Sequence, residues 1–230
     1  MKRSRARRRG FLADGRRVAA VAAAAALVVG LILFLVLRDA RRAEPEEPVP
    51  NPVATITMRD GGQMRLELFP DHAPNTVANF VKLANSGFYD GQQFFRVVAG
   101  VFIQGGDPNN NGTGDPGYAI KGEFAENGVR NELSHIRGTI SMARTSGYDT
   151  AGSQFFIMQG SYPEYDGRYA AFGRVADQAS FDTLDAIGAQ AVDSSYLPLT
   201  RQVISTIRVE TFGAEYEPAT TSRPEAEKAP

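Results

Sequence analysis

The apolar positions change period several times along the chain, and each change marks an element. Val18 to Leu37, VAAVAAAAALVVGLILFLVL, runs for twenty residues without a charge. As a helix it spans about 30 Å, the thickness of a bilayer's hydrocarbon core. Val53–Met58 and Met64–Phe69 then read as strands, and Arg59 to Gln63 between them carries hairpin chemistry. At Pro74 the period becomes helical. Val77, Phe80, Val81 and Ala84 share one face, Pro74 suits a first helical position, and Gly87 suits the stop. Short strand-like runs follow at 94–98, 102–104, 139–143, 154–158, 171–175 and 203–211, with a second helix expected over Ser180 to Ile187. The domain is therefore mainly β. Many short strands with Gly-rich turns and isolated helices fit a closed antiparallel barrel, although periodicity alone does not separate it from a sandwich.

Charge changes the picture at the N-terminus. The 230 residues sum to a net charge of −1, yet residues 1–42 hold eleven Arg or Lys against two Asp. Eight of these basic residues precede the apolar run, and Arg38, Arg41 and Arg42 follow it. The positive-inside bias then places the basic segment 1–17 in the cytoplasm, a signal anchor at 18–37, and everything after it outside. A cleaved export signal is the rival. Leu27–Leu37 has signal-peptide length, and Arg8-Arg9-Gly10-Phe11-Leu12 resembles a twin-arginine sequence. The run exits into RDARRAE, which offers no small-x-small cleavage site, and this favours a retained anchor in the cell membrane. Residues 38–52 form a Pro/Glu-rich, extended linker, and 213–230 read as a disordered tail. That leaves 53–212 as one domain with its own core.

Composition removes several chemistries. With no Cys, disulfides, thiolate zinc sites and a catalytic thiol are excluded. The two histidines, His72 and His135, have no metal-ligand spacing. His72 reads as exposed beside Pro74, and His135 reads as a structural hydrogen-bonder ahead of a strand. The Gly-rich loop QGGDPNNNGTGDPG, residues 104–117, lacks the Lys-Ser/Thr ending of a phosphate loop. It matches half of a calcium loop but has Tyr118 where the bidentate Glu belongs, so it reads as a structural excursion. There is no nucleophile elbow. The acidic balance beyond residue 42 argues against nucleic acid.

What remains is an Arg and two Gln set among phenylalanines. They lie in FFRVVAGVFIQGGD (Phe94 to Asp107) and in SMARTSGYDTAGSQFFI (Ser141 to Ile157). With YDGRYAAFGRV (Tyr165 to Val175) and the helix segment Ala73 to Phe80, these stretches resemble the cyclophilin-type peptidyl-prolyl isomerases, in family order. The resemblance implies a closed eight-stranded antiparallel barrel with two capping α-helices, here preceded by one transmembrane helix. It implies a monomer that uses no cofactor and no metal, and that binds proline-containing peptides and unfolded exported proteins.

The resemblance also implies roles. Arg96 takes the catalytic position and Gln104 binds the peptide backbone. Val101, Phe102 and Phe156 line a proline pocket. Ala143 and the Arg144 backbone pair with the residue before proline, and Gln154 supports the rim. Tyr165 and Tyr169 stand where the family often has Leu and His. Departures from the pattern are Phe95 for the usual His, Val101-Phe102 for a Phe-Met pair, and Glu164 where many members place Trp. Two functions stay open: an isomerase acting outside the cytoplasm, or a non-catalytic peptide-binding holdase on the same fold.

Overall fold

The computed structural model describes residues 18–35 and 49–220. The basic segment 1–17, the last two residues of the expected anchor (36–37), residues 38–48 of the linker and residues 221–230 lie outside the described residues. The chain falls into two units, one on each side of Pro48.

The first unit contains helix α1, Val18–Leu35. It is 18 residues long, and all of its side chains are exposed. A helix satisfies its own backbone hydrogen bonds, so one this apolar is long enough to cross a bilayer. By length and composition it fits an export signal equally.

The second unit is a β barrel. Its strands are β1 (Val53–Met58), β2 (Gln63–Leu68), β3 (Gln93–Phe94), β4 (Arg96–Val98), β5 (Phe102–Gly105), β6 (Thr139–Met142), β7 (Phe155–Met158), β8 (Ala171–Val175) and β9 (Gln202–Glu210). They are ordered β3-β9-β1-β2-β8-β6-β7-β5-β4, with antiparallel pairing throughout. The two ends of that order are one continuous stretch of chain. Gln93-Phe94 pairs with β9, Arg96–Val98 pairs with β5, and Phe95 alone separates them. Eight barrel positions are thus filled by nine segments. The single strand expected over 94–98 is bent at Phe95, because neighbours on opposite sides of the seam must share it.

Alternation sets the inside. Ala54, Ile56 and Met58 of β1 and Met64, Leu66 and Leu68 of β2 lie side by side on the inner face of adjacent strands. Helix α2 (Pro74–Asn85) plugs one end with Val77, Phe80, Val81 and Ala84. Phe80 lies 5.4 Å from Tyr89, 5.5 Å from Phe155 and 5.2 Å from Phe172, centroid to centroid. Helix α3 (Gln178–Gly188) buries Leu184 and Ile187, and Asp177 caps it by accepting the Ser180 N–H at 2.9 Å. These bounds lie within two residues of the sequence reading.

Helix α2 has no cap of its own. Ala73 at the N-cap has no side-chain oxygen, and the first donors go to a distant carboxylate instead. Buried Glu123 accepts from Asn75 N at 3.1 Å, Thr76 N at 2.7 Å and the Thr76 hydroxyl at 2.7 Å. An anion there also meets the positive end of the helix dipole. Removing it leaves buried donors unpaired, so Glu123→Ala is expected to cost about 2–3 kcal/mol. That corresponds to roughly 5–10 °C in Tm for a domain this size. Thermal unfolding beside Glu123→Gln checks this, and an unchanged Tm would remove Glu123 as the cap.

The tail corrects the sequence reading as far as Ala219. Asn75 donates to Ala219 O at 3.1 Å and accepts from Ala219 N at 2.7 Å. Lys82 pairs with Glu217 at 3.1 Å, and Tyr216 packs against the core. The outer face of α2 supplies these partners, which the composition of the tail does not reveal. His72 also differs: it is half-buried, edge-on to Phe69 at 6.2 Å.

Candidate active site

Strands β4, β5 and β7 lie side by side, and their outward positions build the site. Arg96 on β4 is the register partner of Gln104 on β5, and Gln104 is the partner of Phe156 on β7. A polar chain crosses this face. The Arg96 guanidinium donates to Gln104 Oε1 at a long 3.4 Å, and Gln104 Nε2 donates to Gln154 Oε1 at 3.0 Å. Gln154 Nε2 in turn donates to the carbonyls of Gly112 and Gly114, at 3.1 and 2.9 Å.

Those carbonyls belong to the Gly-rich loop, and Asp107 holds that loop in shape. Its buried carboxylate accepts from Asn109 N at 2.7 Å, from Asn111 N at 2.9 Å and from Gly112 N. The loop therefore supports the Gln154 side chain. Gly106, with φ +84°, sits so close to Ser153 O that a Cβ would collide with that backbone oxygen. Its carbonyl accepts the Ser153 hydroxyl at 2.7 Å, tying β5 to the approach of β7. Among the described residues no group of three or more His, Asp or Glu could hold a metal ion.

Beside the polar chain lies an apolar cluster separate from the barrel core. Phe102, Phe156 and Met158 are buried in it, with Val98, Val101, Ala143, Tyr162, Tyr165 and Tyr169 packed around them. Phe102 and Phe156 lie 5.5 Å apart, and Phe156 meets Tyr169 edge-on at 5.5 Å and Tyr165 at 6.0 Å. Burial holds the Tyr165 phenol above its ordinary value, with Tyr169 adding to the shift, so it stays neutral. The Arg96 guanidinium lies over the Phe102 ring at 5.3 Å and makes no ion pair among the described residues.

A cavity of about 500 Å³ adjoins, bordered by Arg96, Gln104, Gln154, Ala143, Thr150 and Leu197. Ala143 belongs to both the cavity and the apolar cluster. All ten residues expected at the site therefore converge on this face, and Arg144 does so differently from the rest. Its side chain is taken up elsewhere, donating to Arg168 O at 3.0 Å with its guanidinium over Phe124, Tyr148 and Tyr169.

Several contributors were not among the expected set. Val98 and Met158 follow Arg96 and Phe156 by two positions, and a strict two-residue period would have found them. His135 backs the apolar cluster. Its ring stacks on Phe156 at 6.0 Å and 20°. Nδ1 lies 2.9 Å from Asp166 Oδ1, and Nε2 lies 3.0 Å from the Ser141 hydroxyl. Burial pushes the His135 pKa below its ordinary value, overriding the pull of Asp166 in the other direction. The neutral ring donates Nδ1–H to Asp166 and accepts the Ser141 hydroxyl.

A sign follows for pH. The unfolded histidine titrates near about 6.5, and the folded one below that. As pH falls through this window the unfolded state binds the proton first, so stability is full above it and declines as the folded pKa is approached and passed. We expect Tm to drop on acidification from pH 7 to pH 5, with a shallower drop in His135→Gln. Equal slopes in the two proteins would sever the link to His135.

Residues 53–209 match the family described as "Cyclophilin type peptidyl-prolyl cis-trans isomerase/CLD". Peptidyl-prolyl cis-trans isomerase B of Bacillus subtilis is 48% identical over 124 residues, covering 54% of this chain and 83% of that protein. A putative bifunctional phosphatase/peptidyl-prolyl cis-trans isomerase of Streptococcus pyogenes is 40% identical over 175 residues, and the match spans 37% of its length. Among solved structures, a Cryptosporidium parvum cyclophilin type isomerase, described in the presence of the dipeptide Ala-Pro, superimposes with a TM-score of 0.62 at 33% identity. That alignment covers 69% of this chain and 98% of the other. The closed antiparallel barrel is the fold shared with that isomerase. The chain belongs to the cyclophilin-type peptidyl-prolyl cis-trans isomerase family.

Proposed function

We propose that the chain accelerates cis–trans isomerisation of X-Pro bonds in exported or extracytoplasmic proteins, from a position tethered to the membrane. The observation that carries this is the Arg96 guanidinium, free of any carboxylate among the described residues and set beside the Phe102–Phe156 apolar cluster.

Rotation about an X-Pro bond breaks amide resonance, a barrier of about 18–20 kcal/mol. Uncatalysed exchange takes tens of seconds or more. No bond is cleaved, so neither a nucleophile nor a metal is needed. As the amide twists, its nitrogen loses conjugation and gains a basic lone pair. A donor aimed there stabilises the twisted state more than the planar one, which is the condition for catalysis.

Arg96 supplies that donor, because its weak 3.4 Å bond to Gln104 is readily exchanged for a bond to the peptide. Phe102, Phe156 and Val101 hold the proline ring, flanked by Tyr165 and Tyr169. Gln104, its amide oriented by Gln154, binds the peptide backbone. The backbone at Ala143 and Arg144 pairs with the residue before proline.

The anchor rests on α1, a helix of 18 residues with every side chain exposed, which is matched by surrounding lipid. The basic residues ahead of it orient the N-terminus to the cytoplasm and the isomerase outside. Such an enzyme meets chains as they emerge unfolded, where slow prolyl bonds limit folding.

The test is the refolding of a protein whose slow phase is an X-Pro isomerisation, with the full-length chain present at substoichiometric amount. The slow phase accelerates if the reading holds. An unaltered slow phase beside measurable peptide binding would leave the non-catalytic holdase. Protease added outside intact cells should remove the isomerase domain, and protection would contradict the topology.

A further inference from the structure

The mechanism leaves one residue beside Arg96 unused. Tyr196 sits in the loop between α3 and β9, a stretch without apolar period. Its backbone has φ +65°, the left-handed region that bulky residues rarely occupy. Such strain persists only where the surroundings hold it, and it gathers at functional sites.

The surroundings here are specific. Val192 and Pro198 form an isolated bridge that closes the loop. Asp193 holds its tip, accepting at Oδ1 from Ser195 N at 2.8 Å and Leu197 N at 3.1 Å. Tyr196 N donates to Asp193 O at 3.1 Å, and Asp193 N to Leu197 O at 3.0 Å. The left-handed turn then aims the Tyr196 carbonyl at the free edge of β4. It accepts Val97 N at 2.9 Å, the amide that follows Arg96. The ring of Tyr196 lies 5.8 Å from the Arg96 guanidinium, and the Phe102 ring lies 5.3 Å from it.

We propose that Tyr196 is a positioning residue for Arg96, its carbonyl fixing the strand edge and its ring confining the guanidinium together with Phe102. This rests on the isomerase reading above and deepens it. Arg96 is exposed and, among the described residues, its side chain makes one long hydrogen bond, so little else there restrains a side chain with several rotatable bonds. Two aromatic faces limit where the guanidinium can point while leaving its N–H donors free for the substrate. A carboxylate in place of Tyr196 would occupy those donors. The ring orients the guanidinium without consuming them, and the strained backbone is the cost of bringing the ring there.

The test separates position from stability, using the full-length chain in detergent micelles. Glycine adopts φ +65° freely, so Tyr196→Gly removes ring and strain together. It should lower kcat for an Ala-Pro peptide about three- to tenfold, the range expected for losing a half-exposed cation–π contact. KM should stay within about twofold and Tm should not fall, because relief of strain offsets the greater freedom of the unfolded chain. Tyr196→Phe keeps the ring and should recover most of the lost kcat, whereas Tyr196→Leu should not.

The Arg96 Nε–H signal should also shift in Tyr196→Gly, since the ring current is gone. Unchanged kcat in Tyr196→Gly, or a Tm loss that accounts for the kcat loss, overturns the proposal. Arg96→Ala runs in the same assay. If it keeps full turnover, the isomerase mechanism itself fails and takes this inference with it. If it loses turnover while Tyr196→Gly does not, the positioning role alone fails.

Discussion

Replacing Arg96 by alanine is expected to lower kcat/KM on an Ala-Pro peptide by about 10²–10³-fold, the loss typical for removing one transition-state donor. The loss should appear in kcat, because the planar ground state makes little use of the guanidinium. Stability should barely move. Arg96 is exposed and makes no ion pair among the described residues, and such surface changes usually stay within about ±0.5 kcal/mol. Arg96→Lys should recover only part of the rate, since a compact ammonium lacks the planar fork that lies over Phe102. Turnover and thermal unfolding on the same preparations check both statements. A variant that loses its Tm along with its rate would show Arg96 acting through the fold instead.

The second large effect is expected at Phe156, which serves the pocket and the packing at once. Its ring is 5% exposed and touches Phe102, His135, Tyr165 and Tyr169. Phe156→Ala should cost about 3–5 kcal/mol through the cavity it leaves. It should also raise KM roughly tenfold or more, because the proline ring loses apolar surface to bury against. Phe156→Leu tells the two apart: it refills much of the volume, so Tm should largely recover while KM stays raised. A folded Phe156→Leu protein with wild-type KM would remove Phe156 from the proline pocket.

The barrel was legible where a single physical constraint acted. β1 and β2 alternate because one face meets the core and the other water, and α2 shows its helical face because Phe80 plugs an apolar interior. The break at Phe95 was not legible. Phe94 to Val98 reads as one short apolar run around Arg96, and the bend comes from a seam partner, β9, more than a hundred positions away. The cap of α2 was hidden likewise, because Glu123 lies 47 positions beyond Thr76. Attachment of the tail through Ala219 depends on Asn75 and Lys82, again remote in sequence.

The site divides along the same line. Arg96, Gln104 and Phe156 stand out as polar and aromatic exceptions on strands, and the resemblance adds what spacing cannot. His135 reads as a hydrogen-bonder from its place before β6, and Asp166 and Ser141 bear that out. Its stacking beneath Phe156 has no local signal. Tyr196 has none either, because its position depends on a loop closed by Asp193 and a strand edge far behind it in the chain.

The most direct test of the central claim is exchange spectroscopy on an Ala-Pro peptide with the full-length chain at substoichiometric amount. Catalysis by Arg96 predicts cis–trans exchange accelerated from tens of seconds to well below a second, and lost in Arg96→Ala. Peptide signals that shift on binding while exchange stays at the uncatalysed rate would contradict it.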